Sequence, residues 1–166
     1  MNDITIGIIG TGMMGQEHIQ NFNLLDGAQV TALADTDAAM LSKAAEMTDG
    51  TPTLSDDFET LLGDSGPEAL VIATPNFHHI DVLDSALDAG KPILCEKPLC
   101  TRLEDTQKVM QRVGHNELLF QVGMEYRFKP ALDNMIARVH GGDIGQIQML
   151  SIREHRFPFL SKVADW

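Results

Sequence analysis

Three glycines at fixed spacing constrain the start of this chain more than any other feature. Gly10, Gly12 and Gly15 follow a short apolar run at residues 4–9 and precede residues 13–25, whose apolar side chains recur at helical spacing. In a G-x-G-x-x-G arrangement the first glycine permits a tight turn, the second lets a ligand approach the backbone, and the third lets helix and strand pack closely. The pattern therefore predicts a buried strand, a glycine turn and a helix in direct succession.

The same alternation of strand and helix continues as far as residue 123. Short apolar runs predict the strands, and segments with apolar residues at helical spacing predict the helices between them. The predicted strands are 4–9, 30–34, 53–55, 69–73, 92–95 and 118–122, and the predicted helices are 13–25, 38–47, 56–62, 76–90 and 103–113. Such alternation implies right-handed crossovers, so we expect an α/β fold with a Rossmann-type doubly wound parallel sheet.

The regular alternation of predicted strands and helices ends at Gly123. Residues 130–139 have helical spacing, a Gly-Gly-Asp turn interrupts it, and residues 146–156 alternate in the manner of a strand. We therefore divide the chain into a first domain at residues 1–123 and a second unit at residues 124–166. The second unit is interpreted as the truncated start of an α+β domain.

An acidic residue at the end of the second predicted strand indicates a dinucleotide site at the glycine turn. Asp35 lies about 20 residues after Gly15, where a carboxylate accepts hydrogen bonds from an adenosine ribose. The amino terminus of the following helix attracts the pyrophosphate. Because the carboxylate repels a 2′-phosphate and no arginine follows within the next few residues, NAD is favoured over NADP. The alternative is that Asp35 caps the next helix, a position that Asp37 suits equally well.

Two further turns follow predicted strands of the same sheet. Thr74, Pro75 and Asn76 come after the fourth strand, and Glu96 and Lys97 come after the fifth. Because ligands of open α/β sheets bind at the carboxyl ends of the strands, we expect both turns to border one crevice, with Lys97 near the nicotinamide. Apolar residues flank the second turn, so we expect Lys97 to be partly buried, where a lysine can polarise a substrate hydroxyl. The alternative is a solvated loop lysine.

Composition excludes several other classes of function. The chain has 12 lysines and arginines against 24 aspartates and glutamates, and the formal net charge of −12 repels nucleic acid. No apolar run reaches the roughly 18 residues that cross a membrane, and the amino terminus carries no export signal. Cys95 and Cys100 lie too close together for a disulfide framework and lack the companions of a zinc site. We therefore expect a cytoplasmic protein without a metal site.

Five short segments in order resemble a known family. They are residues 8–15, 34–35, 74–76 with His79, 96–98 and 122–128. In these segments the chain resembles the Gfo/Idh/MocA family of oxidoreductases, which is named for glucose-fructose oxidoreductase and inositol dehydrogenase. The resemblance implies an NAD(P)-dependent oxidation of a secondary hydroxyl of a sugar, cyclitol or related polyol, or the reverse reduction.

The resemblance also implies roles for individual residues. The glycine turn binds the pyrophosphate, Asp35 binds the ribose, and the two later turns hold the middle and the nicotinamide end of the cofactor. The implied cofactor-binding residues are Gly10, Thr11, Gly12, Met13, Met14, Gly15, Asp35, Thr74, Pro75, Asn76, His79, Glu96 and Lys97. Lys97 is also the implied catalytic residue. A packing role is the alternative for His79 and the favoured interpretation of His18 and His78.

The carboxyl-terminal end of the chain departs from the family pattern. Members are usually more than twice as long, and their catalytic histidine, with a nearby aspartate, lies beyond the position of Trp166, so the general base is expected to be missing. We therefore expect a truncated dehydrogenase limited to nucleotide binding. The alternatives are a non-catalytic dinucleotide-binding module and one subunit of a split dehydrogenase. The implied partners are a polyol or sugar substrate, and a second copy of the chain or a complementing second-domain chain.

Overall fold

Strands and helices alternate along the part of the chain that the structure, a computed structural model, describes: residues 3–116 and 118–155. The strands are β1 (Ile4–Ile9), β2 (Ala28–Ala34), β3 (Thr53–Ser55), β4 (Ala69–Ile72), β5 (Ile93–Cys95) and β6 (Phe120–Val122). The helices are α1 (Met13–Phe22), α2 (Ala38–Ala45), α3 (His79–Ala86), α4 (Leu103–Asn116) and α5 (Pro130–His140), and single 3-10 turns lie at Phe58–Leu61, Asn76–His78 and Glu125–Phe128. None of the helices within these ranges is long and apolar enough to cross a membrane.

The strands form one sheet in the order β3-β2-β1-β4-β5-β6, and every neighbouring pair is parallel. β1 lies between β2 and β4, so the chain winds outward from β1 in one direction and from β4 in the other. In open α/β sheets the carboxyl ends of the strands border a ligand-binding crevice at such a switch point. The predicted Rossmann-type doubly wound parallel sheet is therefore confirmed.

Two hydrophobic clusters cover the two faces of the sheet. Ile8 belongs to the cluster that includes Ile19 of α1 and Leu41 of α2, whereas its neighbour Ile9 belongs to the cluster that includes Leu83 of α3 and Val109 of α4. Adjacent residues of β1 separate in this way because successive side chains of a strand point to opposite faces. Parallel strands that are buried on both faces read as continuous apolar runs, which is why residues 4–9 were recognisable in the sequence.

The first helix is shorter than its sequence pattern predicts. α1 ends at Phe22 instead of continuing to Leu25. Leu24 is 83% exposed and Leu25 is 56% exposed, so neither side chain contributes to the apolar face of the helix. The Asn23 side-chain amide donates a 2.7 Å hydrogen bond to the Met47 carbonyl oxygen, which ties the chain to the end of the α2 region at the point where α1 stops.

Contacts within the chain divide it into two units, Met1–Gly123 and Met124–Trp166. Within the second unit the Tyr126 hydroxyl donates a 2.8 Å hydrogen bond to Oε1 of Glu154, and the Lys129 ammonium lies 3.7 Å from the centroid of the Tyr126 ring. Pro130 occupies the first turn of α5, where a residue without a backbone N–H is tolerated.

The prediction of a strand at residues 146–156 is wrong for those of its residues that the structure describes. Residues 146–155 are not in a strand, and residue 156 lies outside the described ranges. A strand requires a neighbour that pairs with its backbone groups, and none of the six strands in the described ranges pairs with this segment. Met149 is 87% exposed and Ile152 is 80% exposed, so the alternating pattern exists in the sequence without a buried face.

Candidate functional site

The turn between β1 and α1 requires glycine at two positions. Gly10 has φ +92°, and a Cβ there would lie 2.6 Å from the backbone of Ala73 and Thr74 at the end of β4. A Cβ at Gly15 would overlap the carbonyl oxygen of Gly10. The turn is therefore packed tightly between the first residues of α1 and the end of β4.

The second glycine of the motif lies in a different environment. Apart from Gly12 itself and its two chain neighbours, no atom of the described chain lies within 4 Å of a Cβ built on Gly12, so the space in front of α1 is open there. The first turn of α1 holds no acidic residue, and no side chain caps it. Its backbone N–H groups lack intrahelical acceptors and carry the positive end of the helix dipole. This open and electropositive pocket fits an anionic group such as a pyrophosphate.

Asp35 directly follows β2 and is hydrogen-bonded to the glycine turn. Its Oδ2 accepts hydrogen bonds from the backbone amide and the hydroxyl of Thr11, at 2.6 and 2.9 Å, and its Oδ1 accepts one from the amide of Asp37 at 2.9 Å. A carboxylate accepts about four hydrogen bonds, so capacity for a ligand hydroxyl remains. The cap of α2 is Asp37, whose Oδ1 accepts from the amides of Ala39 and Met40. The helix-cap alternative for Asp35 is therefore wrong.

The turn after β4 carries a buried polar atom without a partner. Among the described residues, Oγ1 of Thr74 is the one buried side-chain nitrogen or oxygen that makes no hydrogen bond. An unsatisfied buried hydroxyl costs free energy unless a ligand or water completes it. Pro75 precedes the 3-10 turn Asn76–His78 that leads into α3. Together with the open space at Gly12, the Thr74 hydroxyl fits a polar cofactor that passes along this edge of the sheet.

His79 joins the two turns that follow β4 and β5. The residue has no exposed surface, and its Nε2 and Nδ1 lie 2.9 Å from the Thr74 carbonyl oxygen and 2.8 Å from the Pro98 carbonyl oxygen. Both ring nitrogens therefore face the protein. His78 is exposed by contrast, and its ring lies 4.3 Å from that of Phe77.

Glu96 is a buried carboxylate that directly follows β5, and its partner is a histidine that was expected only to pack. Nε2 of His18 in α1 lies 2.9 Å from Oε1 of Glu96, and the Lys97 amide donates a 3.2 Å hydrogen bond to Oε2. Burial raises the pKa of Glu96, but the hydrogen bond and charge of His18 and the amide and charge of Lys97 lower this pKa by more. The pKa of the Glu96 carboxyl group is therefore below its ordinary value.

His18 was interpreted as a packing residue, and the structure brings it to the site instead. The available signal was its position three residues after Gly15, which places it on the first turns of the helix that the glycine turn starts. Lys97 also differs from expectation. Its side chain is exposed, so the partial burial expected from its apolar neighbours is not found.

The Glu96–His18 pair predicts a specific pH dependence of stability. The pKa of Glu96 is lower in the folded state than in the unfolded chain. The ionised carboxylate therefore contributes to the free energy of unfolding above the unfolded-state pKa of about 4.3, and this contribution is lost as the pH falls through the folded-state pKa. We expect wild type to exceed Glu96→Gln by about 1.5–3 kcal/mol in free energy of unfolding at pH 7, with the difference closing toward pH 3. Urea denaturation across this range measures both. Exposed Glu104, replaced by Gln, is the control, and an undiminished difference at pH 3 contradicts the assignment.

Comparison with known proteins gives a family match over almost the whole first unit. Residues 4–124 match the family described as an oxidoreductase family with an NAD-binding Rossmann fold, Gfo/Idh/MocA. The chain is 36% identical over 159 residues to an inositol 2-dehydrogenase of Arthrobacter sp. (strain FB24), and this match covers 93% of the chain and 46% of the relative. An inositol 2-dehydrogenase of Corynebacterium glutamicum (strain R) is 34% identical over 151 residues, covering 89% of the chain and 44% of the relative. The chain thus spans about half the length of the curated relatives it matches.

Solved structures give the same result. The myo-inositol dehydrogenase of Lactobacillus casei in complex with NAD(H) and myo-inositol superimposes with a TM-score of 0.81 at 29% identity, covering 86% of this chain and 43% of that one. The scyllo-inositol dehydrogenase of the same organism, with bound NAD(H) and scyllo-inositol, has a TM-score of 0.80 at 28% identity and covers 87% and 43%. Since the family match extends over 4–124 and includes the glycine turn, Asp35 and the turns after β4 and β5, the chain belongs to the Gfo/Idh/MocA family of oxidoreductases.

Proposed function

We propose that this chain binds NAD along the carboxyl edge of its sheet and forms the nucleotide-binding half of a dehydrogenase acting on a secondary hydroxyl of a cyclitol, sugar or related polyol. Two observations carry the proposal: the open space at Gly12 at the positive end of α1, and the unpartnered buried hydroxyl of Thr74, whose backbone packs against Gly10 of the same turn. Two related inositol dehydrogenases were solved with NAD(H) and an inositol, which supports the same ligand classes here.

The proposed division of roles follows the geometry of the turns. The amides at the start of α1 bind the pyrophosphate, with Gly12 leaving room for it, and Asp35 accepts hydrogen bonds from the adenosine ribose. Thr74 contributes its hydroxyl to the middle of the cofactor. The residues at this edge of the sheet would hold NAD, which would supply the hydride acceptor.

Lys97 is the proposed catalytic residue of this half. It follows the carboxyl end of β5, and the residue is exposed. An ammonium at this position donates a hydrogen bond to the substrate hydroxyl oxygen and stabilises the negative charge that grows on this oxygen as its proton is removed; loss of the hydride then leaves a neutral carbonyl. The hydroxyl proton passes to a base, and we assign that base to no residue of the described chain.

The first test concerns the preference for NAD over NADP. We expect calorimetric titration to give tighter binding of NAD, because the Asp35 carboxylate repels a 2′-phosphate. Asp35→Asn should reduce the NAD/NADP ratio about tenfold, or about 1.4 kcal/mol, while its amide oxygen still accepts from Thr11. Asp37→Asn is the matched control, since Asp37 caps α2 and should leave the ratio unchanged.

Two outcomes of this titration contradict the proposal. Equal or tighter binding of NADP by wild type overturns the role of Asp35 as the residue that selects the cofactor. Absence of binding of either nucleotide to the folded chain overturns the nucleotide-binding function itself.

A further inference from the structure

The carboxylate of Glu96 is enclosed by three separate elements of the first unit. His18 reaches it from α1, the amide of Lys97 reaches it from the turn after β5, and Gly123 lies against it directly after β6. A Cβ on Gly123 would be 2.9 Å from Oε1 of Glu96. The exposed fraction of the Glu96 side chain is 10%.

Both oxygens of this carboxylate already have partners within the protein. Oε1 accepts from His18 and Oε2 accepts from the backbone amide of Lys97. The carboxylate has further acceptor capacity, but only 10% of the side chain is exposed and Gly123 lies against both oxygens, so packing limits the access of a ligand to either oxygen. The neighbouring side chain of Lys97 is exposed, so the turn presents the ammonium outward and the carboxylate inward.

We propose that Glu96 is a positioning residue rather than a cofactor ligand: held by His18 of α1, it fixes the backbone of the turn from which Lys97 extends. Gly123 belongs to the same arrangement, because the carboxylate occupies the space that a side chain would need. The helix that starts at the glycine turn and the turn that carries Lys97 are thereby connected through one carboxylate. This inference rests on the proposed function only in the role it gives Lys97.

The charges around Glu96 agree with this assignment. The titratable groups that face it are His18 from α1, Lys97 from its own turn and Cys95 from β5. Burial raises the pKa of the Cys95 thiol to about 12, with Cys100 and Glu96 adding to the effect, so this thiol stays neutral near pH 7. His18 and Lys97 are the groups that favour the ionised carboxylate.

Nuclear magnetic resonance of the full 166-residue chain tests the inference without any ligand. The amide resonance of Lys97 reports directly on the hydrogen bond to Glu96 and on its titration. In His18→Phe we expect the pH midpoint of this resonance to rise by about one unit or more and its hydrogen exchange to become about tenfold faster. His18→Gln, which keeps a donor near the position of Nε2, should restore most of both values.

A second pair of variants gives an independent test. Gly123→Ala places a methyl group against the carboxylate and should shift the Lys97 resonance, whereas Gly114→Ala in α4, where a Cβ meets nothing within 4 Å, should not. An unchanged Lys97 resonance in both His18→Phe and Gly123→Ala overturns the inference. Failure of wild type to bind NAD would overturn the proposed function and leave these resonance shifts in place, so the two failures are distinguishable.

Discussion

Gly12→Ala is expected to weaken NAD binding by about 100-fold, or about 2.7 kcal/mol, while the chain stays folded. The added methyl group would occupy the open space in which we place the pyrophosphate, and it would contact no atom of the described chain beyond its two neighbours in sequence. Gly12 has φ −65° and an extended backbone, which alanine also adopts. Calorimetric titration measures the affinity, and thermal unfolding checks the fold.

The adjacent position of the same motif provides a contrasting variant. Gly10→Ala is expected to destabilise the chain by about 3 kcal/mol or more, because alanine is strained at φ +92° and its Cβ would meet the backbone of Ala73. The two variants should therefore have different effects. Gly12→Ala should lower the affinity for NAD, whereas Gly10→Ala should lower the free energy of unfolding. NAD binding by Gly12→Ala at the strength of wild type would mean that the pyrophosphate does not occupy this turn.

Lys97→Ala is expected to lower turnover by about 10²-fold or more in a chimera that joins this chain to the second half of a related inositol 2-dehydrogenase. NAD affinity should change by less than about threefold, because the exposed ammonium is proposed to act on the substrate hydroxyl. Formation of NADH from inositols and sugars measures turnover. Lys108→Ala, at an exposed position in α4, is the matched control.

The same chimera separates the remaining interpretations. Turnover that is unchanged in Lys97→Ala would return this lysine to the role of a solvated loop residue. A wild-type chimera that binds NAD but forms no NADH would favour the non-catalytic nucleotide-binding module over a dehydrogenase half.

Local patterns were enough to predict most of the sheet. Residues 4–9 form β1 as expected, and Gly10 and Gly15 lie where a Cβ cannot be accommodated, because glycine spacing encodes a turn that is local in sequence. The competition between Asp35 and Asp37 for the cap of α2 was visible in the sequence but not its outcome. The structure assigns the cap to Asp37 because its carboxylate lies within reach of the next amides.

The sequence by itself thus determined which segments form the strands and helices, where the glycine turn lies, and which edge of the sheet carries the motifs. These features follow from periodicity and short spacings. The contact between His18 and Glu96, which are 78 positions apart, was decided by the tertiary structure, because only the folded sheet brings the side chain of His18 in α1 within 2.9 Å of the residue that follows β5. The exposure of Lys97 and the absence of a strand at 146–155 were also decided by the tertiary structure. The burial of a loop lysine and the pairing of a strand depend on neighbours that are distant in the chain, so a local pattern does not decide them by itself.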